Sequence, residues 1–348
     1  MTDFEIVMVS RGHGRGHAVP DMAIARELAK SAPDIPIRFV SYAAGAEAYR
    51  ACGFPVTDLE VEDNPPFLDM VVKLTRLFGE MNPWPRLIIA HEEFPVLPAA
   101  EIFEIPCVFI TDFFTDPGHL LMQALKYASE VVFTGEPGVF TEPPYLNGRI
   151  HYIGRAVRDF EYSLSDRVRA RTELGIPADA VVALFQPGAW VESRVPIAEL
   201  LIDAWNLLPG SPKRLIWLTG RDHDVLSSKF GDRPDLMLLQ ADWKIDRLMA
   251  ASDVLITKAN RLTVYEAAAI GLPSISISNL ANWPDDVAVA RVPSNIALTA
   301  SDTPEILRDA IERSIGSKPV PAIAVSGGVR SAASRIAHHI RNLQNVAS

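Results

Sequence analysis

The sequence predicts an α/β protein with two domains of similar design, and three observations support that prediction. Apolar runs of strand length alternate with amphipathic helical patterns along the 348 residues. The same alternation is present in both halves of the chain, which is typical of two mostly parallel sheets covered by helices. The hydrophobic content of 48% is sufficient for two domains of ordinary size, each with its own core.

In the first half, apolar runs predict four strands and amphipathic patterns predict three helices. The predicted strands are residues 4–10, 37–42, 86–91 and 107–112, and the predicted helices are residues 19–31, 67–81 and 118–128. Active groups in parallel sheets lie beyond the carboxyl ends of the strands. The segments 11–17, 91–94 and 112–119, which follow three of these strands, are therefore expected to converge.

In the second half, the same patterns predict five strands and five helices. The strands are residues 181–185, 213–220, 236–241, 253–257 and 274–278, and the helices are residues 167–174, 245–251, 262–270, 303–315 and 329–345. Between the halves, the residues around Gly154 carry several charges and no clean periodicity, which indicates an interdomain linker. We therefore expect a first domain of residues 1–155, a linker of residues 156–165 and a second domain of residues 166–328.

Composition narrows the class of function. The net charge of −10 and the isoelectric point near 5.3 argue against general nucleic-acid binding. No stretch approaches the roughly 20 uninterrupted apolar residues that a membrane-spanning helix requires. The start at Met1 lacks the basic residues of a signal peptide. We expect a cytoplasmic protein without a transmembrane segment, for which peripheral contact with a membrane stays open.

The cysteines and the C-terminal segment do not indicate a particular function. Cys52 and Cys107 lie in apolar surroundings without metal-ligand spacing, which predicts buried, reduced thiols. The C-terminal segment is basic, and either a local anion-binding patch or an ordinary solvated helix face explains it. Its basic residues are Arg330, Arg335, His338, His339 and Arg341.

The most informative stretch is residues 257–278, because it joins a buried strand, a polar turn and a short helix. Asn260 is placed to cap the N-terminus of that helix, and Lys258 and Arg261 add positive charge beside it. The N–H groups and the dipole of a helix N-terminus attract anions such as a diphosphate. The sequence therefore indicates an anion site at this turn.

An acidic residue follows the anion site by one helical turn. Thr263 and Glu266 are three residues apart and therefore share one face of the helix. Glu266 lies where the two hydroxyls of a ribose would be found beyond a diphosphate. The alternative is an ordinary glutamate near a helix N-terminus, and spacing alone does not separate the two interpretations.

Two motifs resemble those of the MurG-like glycosyltransferases, the superfamily that includes the bacterial N-acetylglucosaminyltransferase of peptidoglycan synthesis and the diacylglycerol sugar transferases. The donor-site signature of these enzymes is similar to Lys258, Leu262-Thr263-Val264, Glu266, Ala267-Ala268-Ala269 and Gly271-Leu272-Pro273. The glycine-rich loop of their acceptor domain is similar to Gly12-His13-Gly14-Arg15-Gly16-His17, followed by Val19-Pro20. The two motifs occupy corresponding places in the two half-chains.

The resemblance implies a fold and an activity. The fold would be GT-B, in which two Rossmann-like domains face each other across a cleft and the last helix, residues 329–348 here, crosses back to the first domain. The activity would be inverting transfer of a sugar from a nucleotide-sugar, with UDP-sugar as the expected donor. The acceptor would be a small molecule, a lipid-linked sugar or a glycan, bound in the cleft. No cofactor is implied.

His17 is the candidate general base, because an inverting transfer needs a group of near-neutral pKa to take the proton of the acceptor hydroxyl. In related enzymes a carboxylate orients the histidine, and the sequence offers Glu92 and Asp112 for that role. The alternative for His17 is a loop histidine without a role. His13 and His17 are four residues apart on a glycine loop without a third ligand, which argues against a zinc site.

The resemblance also places four further residues near the donor. Gly188 lies in a turn similar to the family's second glycine loop, and Trp243 lies at its base-binding loop. Trp243 either contacts the base or packs the helix that follows it. Asp285 and Asp286 stand where relatives place glutamine, and they either bind sugar hydroxyls or cap the next helix.

The sequence leaves other functions of the same fold open. One is a nucleotide-sugar hydrolase or epimerase, in which water or the sugar itself replaces the acceptor. Another is a non-catalytic subunit that binds a nucleotide or a partner enzyme, although the presence of both His17 and Glu266 disfavours it. No Asp-x-Asp metal motif accompanies the cationic donor site, so we expect a metal-independent reaction.

Overall fold

The structure is a computed structural model that describes residues 5–187, 194–210, 212–240, 242, 244–278, 284–316 and 327–347, without the side chains of 194–196, 221, 284–285 and 346–347. The chain forms two compact units. The first contains Met1–Asp159 together with Val325–Ser348, and the second contains Phe160–Ala324. The division falls inside the segment 156–165 for which the sequence predicts a linker.

The first unit is a seven-stranded sheet with helices between successive strands. Its strands are β1 (Ile6–Ser10), β2 (Ile37–Ser41), β3 (Val56–Asp58), β4 (Leu87–His91), β5 (Cys107–Thr111), β6 (Glu130–Phe133) and β7 (Ile150–Tyr152). Its helices are α1 (Ala18–Ser31), α2 (Ala43–Ala51), α3 (Phe67–Glu80), α4 (Val96–Ile102), α5 (Leu120–Ala124) and, from the end of the chain, α13 (Gly327–Ala347).

The strand order of this sheet is β3-β2-β1-β4-β5-β6-β7, and every neighbouring pair is parallel. The order reverses between β1 and β4, and open α/β sheets of this kind bind ligands beyond the carboxyl ends of the strands at such a reversal. All residues of β1, β4 and β5 are buried, which explains why their sequences read as continuous apolar runs.

The second unit is a six-stranded sheet of the same design. Its strands are β8 (Val181–Gln186), β9 (Lys213–Leu218), β10 (Leu236–Leu239), β11 (Val254–Lys258), β12 (Ser274–Ser278) and β13 (Asn295–Thr299). Its helices are α6 (Arg167–Glu173), α7 (Arg194–Leu207), α8 (His223–Phe230), α9 (Ile245–Ala251), α10 (Arg261–Ile270), α11 (Pro284–Ala290) and α12 (Pro304–Gly316). The order β10-β9-β8-β11-β12-β13 is entirely parallel and is that of a Rossmann fold, with the reversal between β8 and β11.

The C-terminal helix belongs to the first unit, where α13 packs on α1. Its buried face includes Ala332, Ile336 and Ile340, which are at most 2% exposed. Arg335 on the flank of the helix donates two hydrogen bonds to Glu130 of β6, at 2.7 and 2.6 Å. Most basic residues of this segment lie on the outer side of α13. There a cavity of about 610 Å³ beside β7 is bordered by Arg330, Arg335, His338 and Arg341.

The structure adds elements that the sequence patterns did not predict, and it corrects one residue. The additional elements are mostly short strands and helices at the periphery: β3, β6, β7, β13, α2, α4, α7 and α8. Cys107 is buried as expected, but the prediction for Cys52 is wrong, because Cys52 is exposed at the C-terminal end of α2. In the part of the chain that the structure describes, no helix is long and apolar enough to cross a membrane.

Candidate functional site

Three loops meet at the carboxyl edge of the first sheet, next to the strand reversal. The backbone N–H of Arg11, after β1, donates to the carbonyl of His91 at 3.1 Å. The N–H of Glu92, after β4, donates to the carbonyl of Ile110 in β5 at 3.1 Å. The segments after β1, β4 and β5 are thereby held together, as expected from the parallel order of the strands.

The glycine-rich loop allows the chain to pass close to its neighbours before α1 begins. A Cβ atom on Gly12 would lie 2.2 Å from the carbonyl oxygen of Tyr42, so only glycine fits there. Gly14 has a φ of +71°, a conformation that side chains disfavour. Gly16 is exposed, and His17 is the N-cap residue of α1. The loop thus delivers the His17 imidazole to the sheet edge.

His17 contacts Glu92 directly. The distance between His17 Nε2 and Glu92 Oε2 is 2.9 Å, and both side chains are largely buried, with 17% and 7% of their surface exposed. The other oxygen of Glu92 accepts hydrogen bonds from Thr111 Oγ1 at 3.1 Å and from the backbone N–H of Asp112 at 3.2 Å. The carboxylate against His17 is therefore that of Glu92, while Asp112 contributes its backbone N–H to Glu92.

The protonation states of this pair follow from its surroundings. Burial by itself would raise the pKa of Glu92, but the hydrogen bond and charge of His17 hold that pKa well below its usual value. Burial lowers the pKa of His17, against the opposing effect of Glu92. Near neutral pH the pair is accordingly a carboxylate and a neutral imidazole.

The tautomer of His17 is fixed by the same contact. An ionised carboxylate only accepts hydrogen bonds, so His17 Nε2 must carry the proton that it donates to Glu92. The lone pair of the neutral ring is then on Nδ1. His17 Nδ1 is buried and has no hydrogen-bond partner among the residues that the structure describes. It is the ring nitrogen that can accept a proton.

Glu92 itself has an unusual backbone. Its φ of +53° lies in the left-handed region, which costs a residue with a side chain roughly 1–2 kcal/mol. Such conformations persist where the surroundings hold them in place, and they cluster at functional sites. Here the N–H of Glu92 bonds to β5 and its side chain bonds to Thr111, which together hold the carboxylate toward His17.

A second histidine–carboxylate pair lies beside the first. His91 Nδ1 is 2.7 Å from Asp21 Oδ1, and Ser10 Oγ donates to the other oxygen of Asp21. Tyr49 Oη is 2.6 Å from Ser10 Oγ. Asp21 is fully buried and His91 is 5% exposed. The His91 ring meets the His17 ring edge to face, with 5.0 Å between the ring centroids.

The pKa of Glu93, the next residue, is shifted in the opposite direction to that of Glu92. It is 3% exposed, and its Oε2 accepts a hydrogen bond from Tyr42 Oη at 2.9 Å. Burial raises the pKa of Glu93 to about 7, although Tyr42 and Arg11 partly offset the rise. The pKa values of two adjacent glutamates are therefore shifted in opposite directions, and only the one with the lowered pKa contacts a histidine.

In the second unit, residues 254–270 form the strand, turn and helix that the sequence predicts. The Asn260 side chain accepts a hydrogen bond from the N–H of Thr263 at 3.2 Å, which makes it the N-cap of α10. Gly271 ends the helix with a φ of +80°. Helix geometry leaves the other first-turn N–H groups without partners inside the helix. Lys258, Arg261 and Leu262 are half-buried around this turn.

Thr263 and Glu266 face the interior of the second unit. Their exposed fractions are 3% and 1%. They lie on one side of α10, as their spacing predicts. A carboxylate that is almost fully buried requires polar partners, so Glu266 is not an ordinary surface glutamate of a helix.

The remaining predicted site residues are distributed as follows. His13 Nδ1 is 2.6 Å from Asp63 Oδ1 on the rim of the first unit. Asp286, on α11, accepts a hydrogen bond from Ser278 Oγ at 2.6 Å. Gly188, Trp243 and the side chain of Asp285 lie outside the described residues. Among the residues that are described, no group of three His, Cys, Asp or Glu side chains is arranged to hold a metal ion.

Comparison with known proteins finds similar sequences and similar folds. No protein-family model matches the chain. It is 27% identical over 293 residues to the UDP-N-acetylglucosamine–N-acetylmuramyl-(pentapeptide) pyrophosphoryl-undecaprenol N-acetylglucosamine transferase of Acetivibrio thermocellus, a match that covers 78% of this chain and 77% of that protein.

Two solved structures show how widely the fold is shared. Acinetobacter baumannii MurG matches 97% of this chain and 99% of its own, with a TM-score of 0.61 and 14% identity. A putative UDP-N-acetylglucosamine 2-epimerase from Listeria monocytogenes matches 97% of this chain and 96% of its own, with a TM-score of 0.69 and 14% identity.

The two Rossmann-like units and these matches define an α/β protein of the GT-B fold, as the sequence predicts. Within that class the chain is similar in sequence to MurG-type N-acetylglucosamine transferases.

Sequence reasoning missed three polar residues of the site. Asp21 reads as an ordinary acid in the first turn of a helix, and Thr111 reads as part of an apolar strand. His91 lies at the end of an apolar strand, and its spacing in the sequence does not single it out. One available signal was that Asp21 follows His17 by four residues, because this spacing predicts that both side chains lie on the same side of the start of α1.

Proposed function

We propose that the protein transfers a sugar from a UDP-sugar to an acceptor hydroxyl with inversion at the anomeric carbon, and that His17 is the general base. The observation that carries this proposal is the His17–Glu92 pair. It presents a neutral imidazole whose Nε2 is occupied and whose Nδ1 is buried without a hydrogen-bond partner among the described residues. That arrangement is what removal of a hydroxyl proton requires.

The proposed step moves one proton and exchanges one bond. The acceptor hydroxyl donates to His17 Nδ1, and its oxygen attacks the anomeric carbon as the bond from that carbon to the diphosphate breaks. The proton passes to Nδ1, and the resulting imidazolium is stabilised by the carboxylate of Glu92 at 2.9 Å. UDP departs with the electron pair of the broken bond.

The donor diphosphate would bind at the N-terminus of α10. The N–H groups of the first helical turn, with Lys258 and Arg261 beside them, supply positive charge for the leaving group. Glu266, one turn further on, would accept hydrogen bonds from the ribose. In this proposal Gly188 and Trp243 complete the donor site, and Asp285 and Asp286 meet the transferred sugar.

The acceptor and the location belong to the same proposal. The curated relative acts, by its name, on a sugar linked to undecaprenol through a pyrophosphoryl group. We propose an acceptor that likewise presents a sugar hydroxyl, lipid-linked or free, and a reaction in the cytoplasm with peripheral contact to the membrane if the acceptor is lipid-linked. The net charge of −10 gives no support for a nucleic-acid partner.

The first experiment is a thermal-shift screen of nucleoside diphosphates and their sugars, since a ligand of the folded state raises the melting temperature. We expect uridine nucleotides to give the largest shift. Product analysis with the selected donor then separates transferase from hydrolase, because a transferase releases free sugar only slowly without an acceptor. Rapid release of free sugar, or its epimerisation, with no acceptor present would replace the proposal by the hydrolase or epimerase alternative.

Metal removal tests the leaving-group part of the proposal. Because charge at the diphosphate site comes from Lys258, Arg261 and the helix N-terminus, activity should survive EDTA. The measurement is the rate of UDP release before and after chelation. Complete loss of activity that magnesium or manganese restores would contradict a metal-independent mechanism.

A further inference from the structure

We propose that Asp21 and His91 form a positioning pair that keeps His17 neutral and ready to accept a proton. The inference rests on the proposed role of His17 as the general base. It concerns two residues that neither the sequence motifs nor the comparisons assign to the reaction. Their contacts with His17 and with the interior of the first unit support it.

Burial is the first reason to assign a role to this pair. Asp21 is fully buried, and both of its oxygens accept hydrogen bonds, one from His91 Nδ1 at 2.7 Å and one from Ser10 Oγ. A buried carboxylate is tolerated when a cation and hydrogen bonds compensate it. When His91 is protonated, its imidazolium is the cation in contact with Asp21, and the pair is then a salt bridge inside the sheet edge.

The charge of His91 is favoured by its neighbours. Burial would lower the pKa of His91, but the negative charge and hydrogen bond of Asp21, with Glu92 and Asp112 further away, raise it above its ordinary value. Asp21 accepts from Nδ1, so the ring is held in a single orientation. Tyr49, from α2, completes the set through Ser10, and burial together with the charge of Asp21 raises its pKa so that it stays neutral.

The position of the His91 ring gives the pair its effect on His17. The two rings meet edge to face with their centroids 5.0 Å apart, so a positive charge on His91 disfavours a second one on His17. Burial is the largest cause that lowers the pKa of His17, and the charges of His91 and Arg11 act in the same direction, whereas Glu92 acts in the opposite one. The Asp21 carboxylate contacts His91 Nδ1, and it orients the charge that His17 meets.

The charges of the two carboxylates and the two imidazoles also balance after the proton has moved to His17. Before transfer, the two carboxylates face one imidazolium, His91, and one neutral imidazole, His17. After His17 accepts the acceptor proton, each carboxylate has its own imidazolium, Asp21 with His91 and Glu92 with His17. The site holds the transferred proton without leaving an unpaired buried charge.

Histidine NMR on the parent protein is the first test. The chain has eight histidines, and loss of one signal set in His17→Gln and in His91→Gln assigns the two rings. At pH 7 we expect His17 to be the Nε2–H tautomer and His91 to be protonated on both nitrogens to a larger extent than an exposed histidine. A His91 ring that stays neutral from pH 5 to 8 overturns the proposal, and this readout needs no variant of Asp21.

The second test removes the charge of the pair and keeps its shape. Asp21→Asn should lower the pKa of His91 and raise that of His17 by about 0.5–1 pH unit, because His17 loses a positive neighbour. Asp63→Asn, which removes the acid in contact with His13, is the matched control and should leave the pKa of His17 unchanged. A purely structural pair would lower the melting temperature of Asp21→Asn without moving His17, and that result would overturn the proposal.

Failure of this inference and failure of the proposed function have different signatures. Full turnover in His17→Gln would remove the general base from the proposed function, whatever the NMR shows. An unshifted His17 in a folded Asp21→Asn variant would remove the positioning pair, whatever the turnover of His17→Gln.

Discussion

The carboxyl edges of the two sheets carry opposite kinds of chemistry. Both candidate sites lie beside the point where the strand order reverses, between β1 and β4 in the first unit and between β8 and β11 in the second. The first collects buried titratable groups, whose charge depends on their neighbours. The second combines a capped helix N-terminus with Lys258 and Arg261, whose charge is permanent near neutral pH. One edge is suited to moving a proton, and the other is suited to holding an anion.

The comparison teaches that one fold supports both tasks, because the sheet edge only positions the loops and the residues on those loops supply the chemistry. In the first unit, His17 and Glu92 arrive on separate loops and interact through side chains. In the second unit, the turn after β11 leads directly into α10, and in the proposed function the backbone itself supplies the binding groups. Substitutions should therefore separate turnover from nucleotide affinity.

The largest expected effect is on turnover. His17→Gln should lower turnover by about 10²–10⁴-fold because it removes the general base, and it should leave UDP affinity nearly unchanged. In the parent protein, turnover should rise with pH through the pKa of His17, which burial places below 6.5, and then level off. The variant should lack that pH dependence. Calorimetric titration of UDP and a turnover assay measure the two quantities.

His338→Gln is the matched control for this substitution, because His338 is exposed on α13 and bonds to Asn342 of the same helix. It should turn over like the parent protein. If His17→Gln also retains full turnover, the first sheet edge does not supply the base.

The second effect is on stability and tests the contrast between Glu92 and Glu93. Burial raises the folded-state pKa of Glu93 from 4.5 to about 7, so the folded protein binds a proton that the unfolded chain has lost. This contribution is present below pH 4.5 and is lost as pH rises through about 7. Glu93→Gln should therefore gain stability relative to the parent between pH 5 and pH 8, by roughly 3 kcal/mol at most.

Chemical denaturation of Glu93→Gln and of the parent protein at about pH 5 and about pH 8 gives the free energies of unfolding. The control is Glu101→Gln, an exposed glutamate on α4, which should show no such change. An equal difference between Glu93→Gln and the parent at both pH values would show that Glu93 is ionised in the folded protein throughout.

The third effect is on nucleotide affinity. Glu266→Ala removes charge-assisted contacts of roughly 1.5–3 kcal/mol and should weaken UDP binding by about tenfold to a hundredfold. Glu266→Gln keeps the shape of this buried residue and should weaken UDP binding in the same direction. Glu312→Ala on the exposed side of α12 is the control. UDP affinity equal to that of the parent in both Glu266 variants would make residues 257–278 a purely structural segment.

The smallest effect separates the helix cap from anion binding. Asn260→Ala should destabilise the second unit by about 1 kcal/mol, because the N–H of Thr263 loses its acceptor. Asn260→Asp keeps a capping oxygen and should recover that stability, yet its negative charge should weaken UDP binding. Thermal unfolding and UDP titration of the two variants distinguish these terms. Equal UDP affinity in Asn260→Asp and the parent would show that no anion binds at this end of α10.

The sequence predicted the elements that carry strong local signals. Fully buried parallel strands read as apolar runs, so β1, β4, β5, β8 and β11 were found within a residue or two of their ends. The helix α10 was marked at both ends, by Asn260 and Gly271. Short edge strands such as β3 and β7 have only three residues each, and their pairing depends on a neighbour that local periodicity does not reveal.

By itself, then, the sequence determined the fold class, the loop that carries His17 and the helix that carries Glu266, because spacing and caps are local properties. Only the tertiary structure decided which carboxylate meets His17, since Glu92 and Asp112 follow neighbouring strands and the choice depends on the left-handed backbone at Glu92. It alone brought Asp21 and His91 together across 70 residues of sequence. Burial of these groups, and therefore their charge, is a property of the packed sheet edge and of no segment alone.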